Sequence, residues 1–452
     1  MKKFGTTLVV ILLAVFISVA GVIAVNKLFP SQEENDTITF AWDKVRVAHP
    51  NMYPDSFEYV DYAKEVKYDT EKYPLLENQG LFWLKWDEEK QEYYKVSAET
   101  QEGAELVDPN KPTIINIHGM LVEGYYMEEM YWMPADNTTP EEIGYDMPVQ
   151  LFKFWFDKGY NVGMYSYQKF ASEGGGFNAI EEKMWDPFGE IGMRYKKPDQ
   201  TYDYNVSNYT ITEHFAADYI RAMKLLPESF GKEEIRFAAH SMGGEVVTGG
   251  TFLLTELASV GQLNPDQLPN RICMEDTFFG AYMPMGDNYV YVGNHGLTLR
   301  WSGKPLPGDD GTKKAGGTTG ETIIECVKDI AANGILFEYY SYDESFLRAA
   351  QKDEMKKTFI ENAVYIVMSP KFSGNEHNGV REFYLTSILN DYDENANYTN
   401  CEKIAYAASL PTSEMQKYVG KCFKLTEGEN TIMTTDDVYV EATERYYPNS
   451  ND

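Results

Sequence analysis

Positive charge is what this sequence has least of. Forty Lys and Arg residues stand against 70 Asp and Glu in 452, for a net charge of −30 and an isoelectric point of about 4.6. Such a surface repels phosphate backbones and anionic lipid headgroups, which argues against nucleic acid as a partner and for a soluble, self-repelling exterior. Histidine is also scarce, with six residues at positions 49, 118, 214, 240, 295 and 377. A general base can therefore be sought by elimination. The four cysteines agree with an oxidising compartment and allow three pairings. Cys401 and Cys422 bracket a C-terminal segment that a disulfide could close, leaving Cys273 with Cys326; buried thiols are the alternative. Internal repeats and low-complexity tracts are missing. Aromatic residues are plentiful at 14%, with 34 Tyr, which suits a packed chain and not a disordered one. The length suffices for a sizeable core, in one elaborated α/β domain or two.

The N-terminus speaks to compartment. Lys2 and Lys3 precede an uncharged stretch from Phe4 to Asn26, almost wholly apolar from Leu8 to Val25. A basic start followed by an apolar run reads as an export signal, and Ala20 and Ala24 end small-residue cleavage sites. The run exceeds the roughly 7–15 residues of a cleaved signal and approaches the ~18–20 of a spanning helix. This favours an uncleaved anchor with its lysines inside. Either outcome places the body outside the cytoplasm, secreted or anchored, with membrane contact through this segment if it is retained. Asn35, Asn137, Asn205, Asn208 and Asn397 open Asn-x-Ser/Thr sequons, which matter only in a eukaryotic source.

Residues 31–110 alternate apolar and polar in LFWLKW and EYYKVSAE, predicting leading antiparallel strands. A breaker cluster, Asp108 to Pro112, precedes the apolar strand Thr113–Ile117. Strands and helices then alternate: a helix in 148–159, a strand in 161–167, a long amphipathic helix within 208–230 and a strand in 235–239. A helix over 245–257, a strand at 271–274, a helix at 321–332 and a strand at 335–340 follow. A charged helix over 343–360, a last strong strand at 363–368 and a helix over 380–389 complete the pattern. It predicts a mostly parallel sheet with helices on both faces and a site at the carboxyl ends of the strands. Residues 122–147 and 168–204, rich in Met, Tyr and Trp, interrupt the rhythm as lid-like insertions or as a satellite core.

The segment Ile235 to Gly250, IRFAAHSMGGEVVTGG, places Ser241 between a strand and a helix, with Ala239 and Gly243 two residues to either side. A serine hydroxyl becomes a useful nucleophile when it is fixed, exposed and beside a base. A sharp strand-to-helix turn fixes it, and small flanking residues let the two elements approach. Ala-x-Ser-x-Gly resembles the nucleophile elbow of the α/β-hydrolases, and AHSMGG resembles small bacterial lipases. The resemblance spans about residues 111–385 and implies the α/β-hydrolase fold, with N-terminal antiparallel strands.

The family's chain order of serine, acid and histidine implies a base after the last strand. His377, in the GNEHNG loop, meets that requirement; His295 is the rival. Ile117-His118-Gly119-Met120 resembles the family's oxyanion loop, which gives His118 a structural role and the oxyanion donors to the amides of Met120 and Met242. For the acid, Asp276 ends the strand after the elbow unit, and Asp343 and Glu338 lie on or past the next. Position favours Asp276, then Asp343, then Glu338, and the family's Gly-x-x-Asp acid loop has no clean counterpart here.

A weaker pattern lies at Asp391, Asp393, Asn395 and Glu402, positions 1, 3, 5 and 12 of a calcium loop. Ala396 occupies the position that needs glycine, which argues against a metal, and no cofactor is expected. Four segments result: 1–30 as signal or anchor, 31–110 as leading strands, 111–385 as catalytic core, and 386–452 as a C-terminal extension, disulfide-closed in one pairing. The expected activity is an exported serine hydrolase of carboxylic esters, lipase- or carboxylesterase-like, acting on a small-molecule or lipid ester. The alternatives are an acyltransferase or thioesterase with the same triad, or a catalytically silent surface interaction module on this fold.

Overall fold

Apolar runs rich in β-branched and aromatic residues become strands, and the amphipathic segments between them become covering helices. The computed structural model describes residues 61–121, 131–133, 149–173, 176–185, 187, 191–277, 281–285, 288–292, 319–342, 353–369, 376–426 and 437–442. All fall in one compact unit, Ala48–Asp452. Ten strands form one sheet. In chain order they are β1 (Gly80–Asp87), β2 (Glu92–Ser97), β3 (Thr113–Ile117), β4 (Asn161–Ser166), β5 (Ile235–His240), β6 (Arg271–Glu275), β7 (Leu336–Tyr342), β8 (Ala363–Ser369), β9 (Cys422–Thr426) and β10 (Val438–Glu441). Their spatial order is β10-β9-β8-β7-β6-β5-β3-β4-β1-β2. From β4 through β9 neighbours are parallel, and β1, β2 and β10 run antiparallel at the two edges.

The helices are α1 (Phe152–Asp157), α2 (Gly176–Trp185), α3 (Ile211–Leu225), α4 (Gly243–Ser259), α5 (Thr319–Ala332), α6 (Asp353–Asn362) and α7 (Glu376–Ser387). Strand alternation sorts them onto two faces. Tyr339 stacks on Phe359 of α6 at 4.7 Å, whereas its neighbour Tyr340 meets Tyr384 of α7 at 5.3 Å. Phe237 of β5 packs against Phe215 of α3 at 5.5 Å, and Trp155 of α1 meets Tyr384 at 5.9 Å. So α3 and α6 cover one face, and α1 and α7 the other. Both faces of the central strands are therefore buried, which explains their uninterrupted apolar runs. The start of α3 is fixed by a capping box in which Thr210 and Glu213 satisfy one another's amides.

The C-terminal residues depart from the expected appendage. β9 and β10 extend the central sheet, and β9 pairs in parallel with β8. Two fully buried arginines lock the connecting segment to the sheet. Arg271 donates to the carbonyls of Leu410 at 2.8 Å and Ala407 at 2.6 Å, and Arg236 donates to that of Ala408. Carbonyl groups and the carboxylates of Glu338 and Glu234 compensate these charges. The Cys401–Cys422 disulfide is not formed: all four cysteines are thiols, with Cys273 and Cys326 in the core.

Within 168–204, Phe170, Met184, Trp185, Met193 and Tyr195 are buried in the main core, so these aromatics pack and do not form a detached wall. The insertion 122–147 lies outside the described residues except for 131–133, as does the segment 1–30. Among the described residues no helix is long and apolar enough to cross a membrane.

The Arg271–Glu338 pair generates a stability test. Glu338→Leu should cost about 3–5 kcal/mol, because it leaves a buried guanidinium without its carboxylate. Adding Arg271→Met should recover part of that loss in urea unfolding, and an unchanged midpoint for Glu338→Leu would dismiss the pair as a structural element.

Candidate active site

Strand β5 is buried along its whole length and delivers the chain directly into Ser241. Ser241 has φ of 54°, in the left-handed region that a residue with a β-carbon rarely adopts. Hydrogen bonds hold it there: its amide donates to the Glu275 carbonyl at 3.0 Å, and its own carbonyl accepts from Gly244 at 3.1 Å. Small neighbours make the turn possible. A β-carbon on Gly119 would lie 2.6 Å from that of Ser241, and one on Gly243 would lie 2.5 Å from the Ile117 carbonyl oxygen. Glycine is required at both places because strand, loop and helix meet backbone to backbone.

The loop after β3 is fixed by His118. Its Nδ1–H donates to the Gly119 carbonyl at 2.7 Å, and its Nε2 accepts the Tyr167 amide at 3.1 Å. The Tyr167 hydroxyl returns to the His118 carbonyl at 2.6 Å, with the two rings stacked at 4.2 Å. Both imidazole nitrogens are thus committed, and His118 is a strut of the loop. Among the described residues, no acceptor takes the amide of Met120 or of Met242. The Met242 amide lies at the start of α4, where the helix dipole adds partial positive charge. Glu245, in the first turn, accepts from the Trp185 indole at 2.6 Å. Burial and the nearby Glu181 carboxyl push its pKa well up, so the neutral acid is favoured beneath this turn.

Asp276 follows the last residue of β6, also at positive φ, 43°. Its carboxylate accepts the Nδ1–H of His377 at 2.6 Å. Its other oxygen accepts the Ser341 hydroxyl at 3.3 Å, and its amide donates to the Tyr340 carbonyl at 2.7 Å. The acid is almost fully buried, whereas the His377 side chain is 30% exposed. His377 lies in the first turn of α7 and not in the preceding loop, so the helix fixes the direction of its ring. With Nδ1–H given to a carboxylate, Nε2 is left as the basic nitrogen.

The structure therefore brings Asp276 to His377 and leaves Glu338 elsewhere. Glu338 lies in mid-strand, paired with Arg271 and accepting the Tyr340 hydroxyl at 2.5 Å. Asp343, His49 and His295 lie outside the described residues. His214 is buried in the first turn of α3 with its Nε2 on the Ser207 hydroxyl at 2.7 Å, and burial pushes its pKa well down.

The calcium-like carboxylates serve local structure. Asp391 pairs with Lys158, and Asp393 accepts the Asn395 amide at 2.9 Å. Glu402 closes a capping box with Thr399 at the start of a short helix. Among the described residues, no three His, Cys, Asp or Glu side chains group to hold a metal ion. Sequence reasoning missed Ser341 and the Glu275 carbonyl. Both follow from register: β6 and β7 pair Glu275 with Tyr340, so Asp276 and Ser341 emerge side by side.

No protein-family model matches the chain, and no curated protein matches it. Among solved structures, the chain is similar to a lipase-esterase related protein from Clostridium acetobutylicum ATCC 824. The identity is 13%, over 57% of this chain and 85% of that one, with a TM-score of 0.24. At that score the overlay carries no argument, and the case rests on the residues themselves. The architecture itself is mixed α/β, with a large, mostly parallel sheet.

The left-handed serine makes a prediction about stored strain. Ser241→Gly should stabilise the fold by ~1 kcal/mol, because glycine adopts this φ without a β-carbon penalty. Guanidinium unfolding of both forms reads the difference; equal or lower stability for the glycine form would mean that the turn is unstrained.

Proposed function

We propose that this protein is a serine hydrolase that cleaves carboxylic esters through an acyl-enzyme on Ser241. The observation that carries the reading is the 2.6 Å hydrogen bond from His377 Nδ1–H to Asp276. It joins Asp276, just past the end of β6, to His377 in the first turn of α7, on the same side of the sheet as a serine held at positive φ. In this reading His377 Nε2 removes the Ser241 hydroxyl proton as the oxygen attacks the ester carbonyl. The amides of Met120 and Met242 stabilise the tetrahedral oxyanion. Asp276 holds the imidazole in the required tautomer and offsets the charge of the imidazolium. His377 then protonates the leaving alcohol, and a water molecule, deprotonated by the same nitrogen, releases the acid.

Glycines at the elbow support the reading, since Gly119 and Gly243 permit an approach that a mere turn would not need. The Met- and aromatic-rich composition of residues 122–147 favours a hydrophobic acyl group, in a small-molecule or lipid ester. The apolar segment after Lys2 and Lys3 supports export, by cleavage or as an anchor. An acyltransferase or thioesterase would use the same three side chains, and the acceptor would be chosen by how well water is excluded.

Nitrophenyl esters of graded chain length, with a fluorophosphonate probe, test this. Ser241→Ala and His377→Ala should each lower kcat by about 10³–10⁶, and Asp276→Asn by ~10⁴. Probe labelling should vanish in Ser241→Ala. Wild-type protein that neither labels nor turns over any of these esters would overturn the assignment.

A further inference from the structure

We propose that His240, the residue before the nucleophile, is a positioning residue that holds the base His377 in its working place. The inference rests on the triad reading above. His240 Nε2 lies 3.1 Å from the main-chain carbonyl of His377, and the two rings stand 4.4 Å apart at 40°. A carbonyl only accepts, so Nε2 carries the proton and donates. The hydrogen bond runs from the last residue of β5 to the first turn of α7, so the strand that presents the serine also anchors the helix that presents the base.

The surroundings keep His240 neutral. It is almost fully buried on the α1/α7 side of the sheet, beside Glu275 in the β5–β6 register. Arg381, one helical turn beyond His377, is also buried and lies over the Tyr131 ring at 5.3 Å. Burial, then the nearby His377, Arg381 and His118, push the His240 pKa well down, against the opposing pull of its hydrogen bond to the His377 carbonyl. Burial pushes that of Glu275 well up against the opposing pull of Arg381. Burial thus favours a neutral His240 with its proton on Nε2, where it donates to the His377 carbonyl. Were His240 to titrate, it would place a second positive charge against the catalytic imidazolium. In the triad reading the approach of His377 to Ser241 depends on this anchor, because small misplacements of a reacting group cost large factors in rate.

The test compares His240→Leu, His240→Gln and His240→Asn, with kcat expressed per site titrated by fluorophosphonate. The Gln amide nitrogen reaches the place of Nε2 and can still donate to the carbonyl, whereas that of Asn falls short. We expect kcat to fall about 10- to 100-fold in Leu and Asn, with KM within twofold, and to recover most of the way in Gln. Should Leu fail to fold, the Gln–Asn comparison carries the same contrast. Wild-type kcat per titrated site in Leu or Asn, or an equal loss in Gln and Asn, would overturn the positioning role. Ser241→Ala run alongside separates the two layers, since full activity there would remove the triad itself.

Discussion

The amide of Ser241 donates to the Glu275 carbonyl at 3.0 Å, and this bond ties the nucleophile turn to the neighbouring strand. Without it the chain leaving β5 would have no reason to accept φ of 54°. With it, the strained turn is shared between two strands and a helix, and its cost is spread over a rigid sheet. The next residue along β6 is Asp276, whose own amide donates to the Tyr340 carbonyl of β7. β5 and β6 are therefore each bonded to the next strand one residue beyond their own ends. That continuation sets the serine and the carboxylate at fixed spacing on one edge.

A second layer of polar groups lies under this edge on the α1/α7 side. Arg236 and Arg271 hold the carbonyls of 407–410, Glu338 answers Arg271, and His240, Glu275 and Arg381 lie beneath His377. Burying such groups is costly unless each is placed among partners. Their placement binds the C-terminal segment and α7 to the sheet, and α7 carries His377. On the opposite face Phe215 meets Phe237 and Tyr339 meets Phe359, and the buried His214 and Asp218 of α3 lie on that side as well. Aromatic burial holds the sheet from both sides, with Trp155, Tyr340 and Tyr384 packed on the α1/α7 face.

Much of the fold was legible because the parallel strands are apolar throughout. TIINI at 113–117, IRFAAH at 235–240 and AVYIVM at 363–368 are short runs bounded by breakers, and each is a central strand. The last sheet strands were not legible. VYVE is the edge strand and CFKLT the one beside it, and both are half polar because alternate or most side chains there meet water. The first residues of α7 were read as loop because Gly374, Asn375 and Asn378 are turn-formers by composition, yet the helix already begins at Glu376. The cysteine pairing also misled: spacing in sequence says nothing about distance once 401 and 422 are placed on a helix and a strand.

By itself the sequence determined the sharp turn at Ser241 and the alternation of strands and helices. A small–x–Ser–x–Gly turn is a local constraint, and hydrophobic periodicity is a local signal. It also narrowed the base, because six histidines leave few candidates. It could not choose among Asp276, Glu338 and Asp343, since many carboxylates stand near strand ends in a chain so acidic. That choice belongs to pairing between β6 and β7 and to the packing of α7. Register puts Asp276 beside Ser341 and sends Glu338 to Arg271, while α7 brings His377 across 101 positions of sequence to within 2.6 Å of Asp276. Long-range register and helix docking are properties of the assembled sheet, and no local run of residues encodes them.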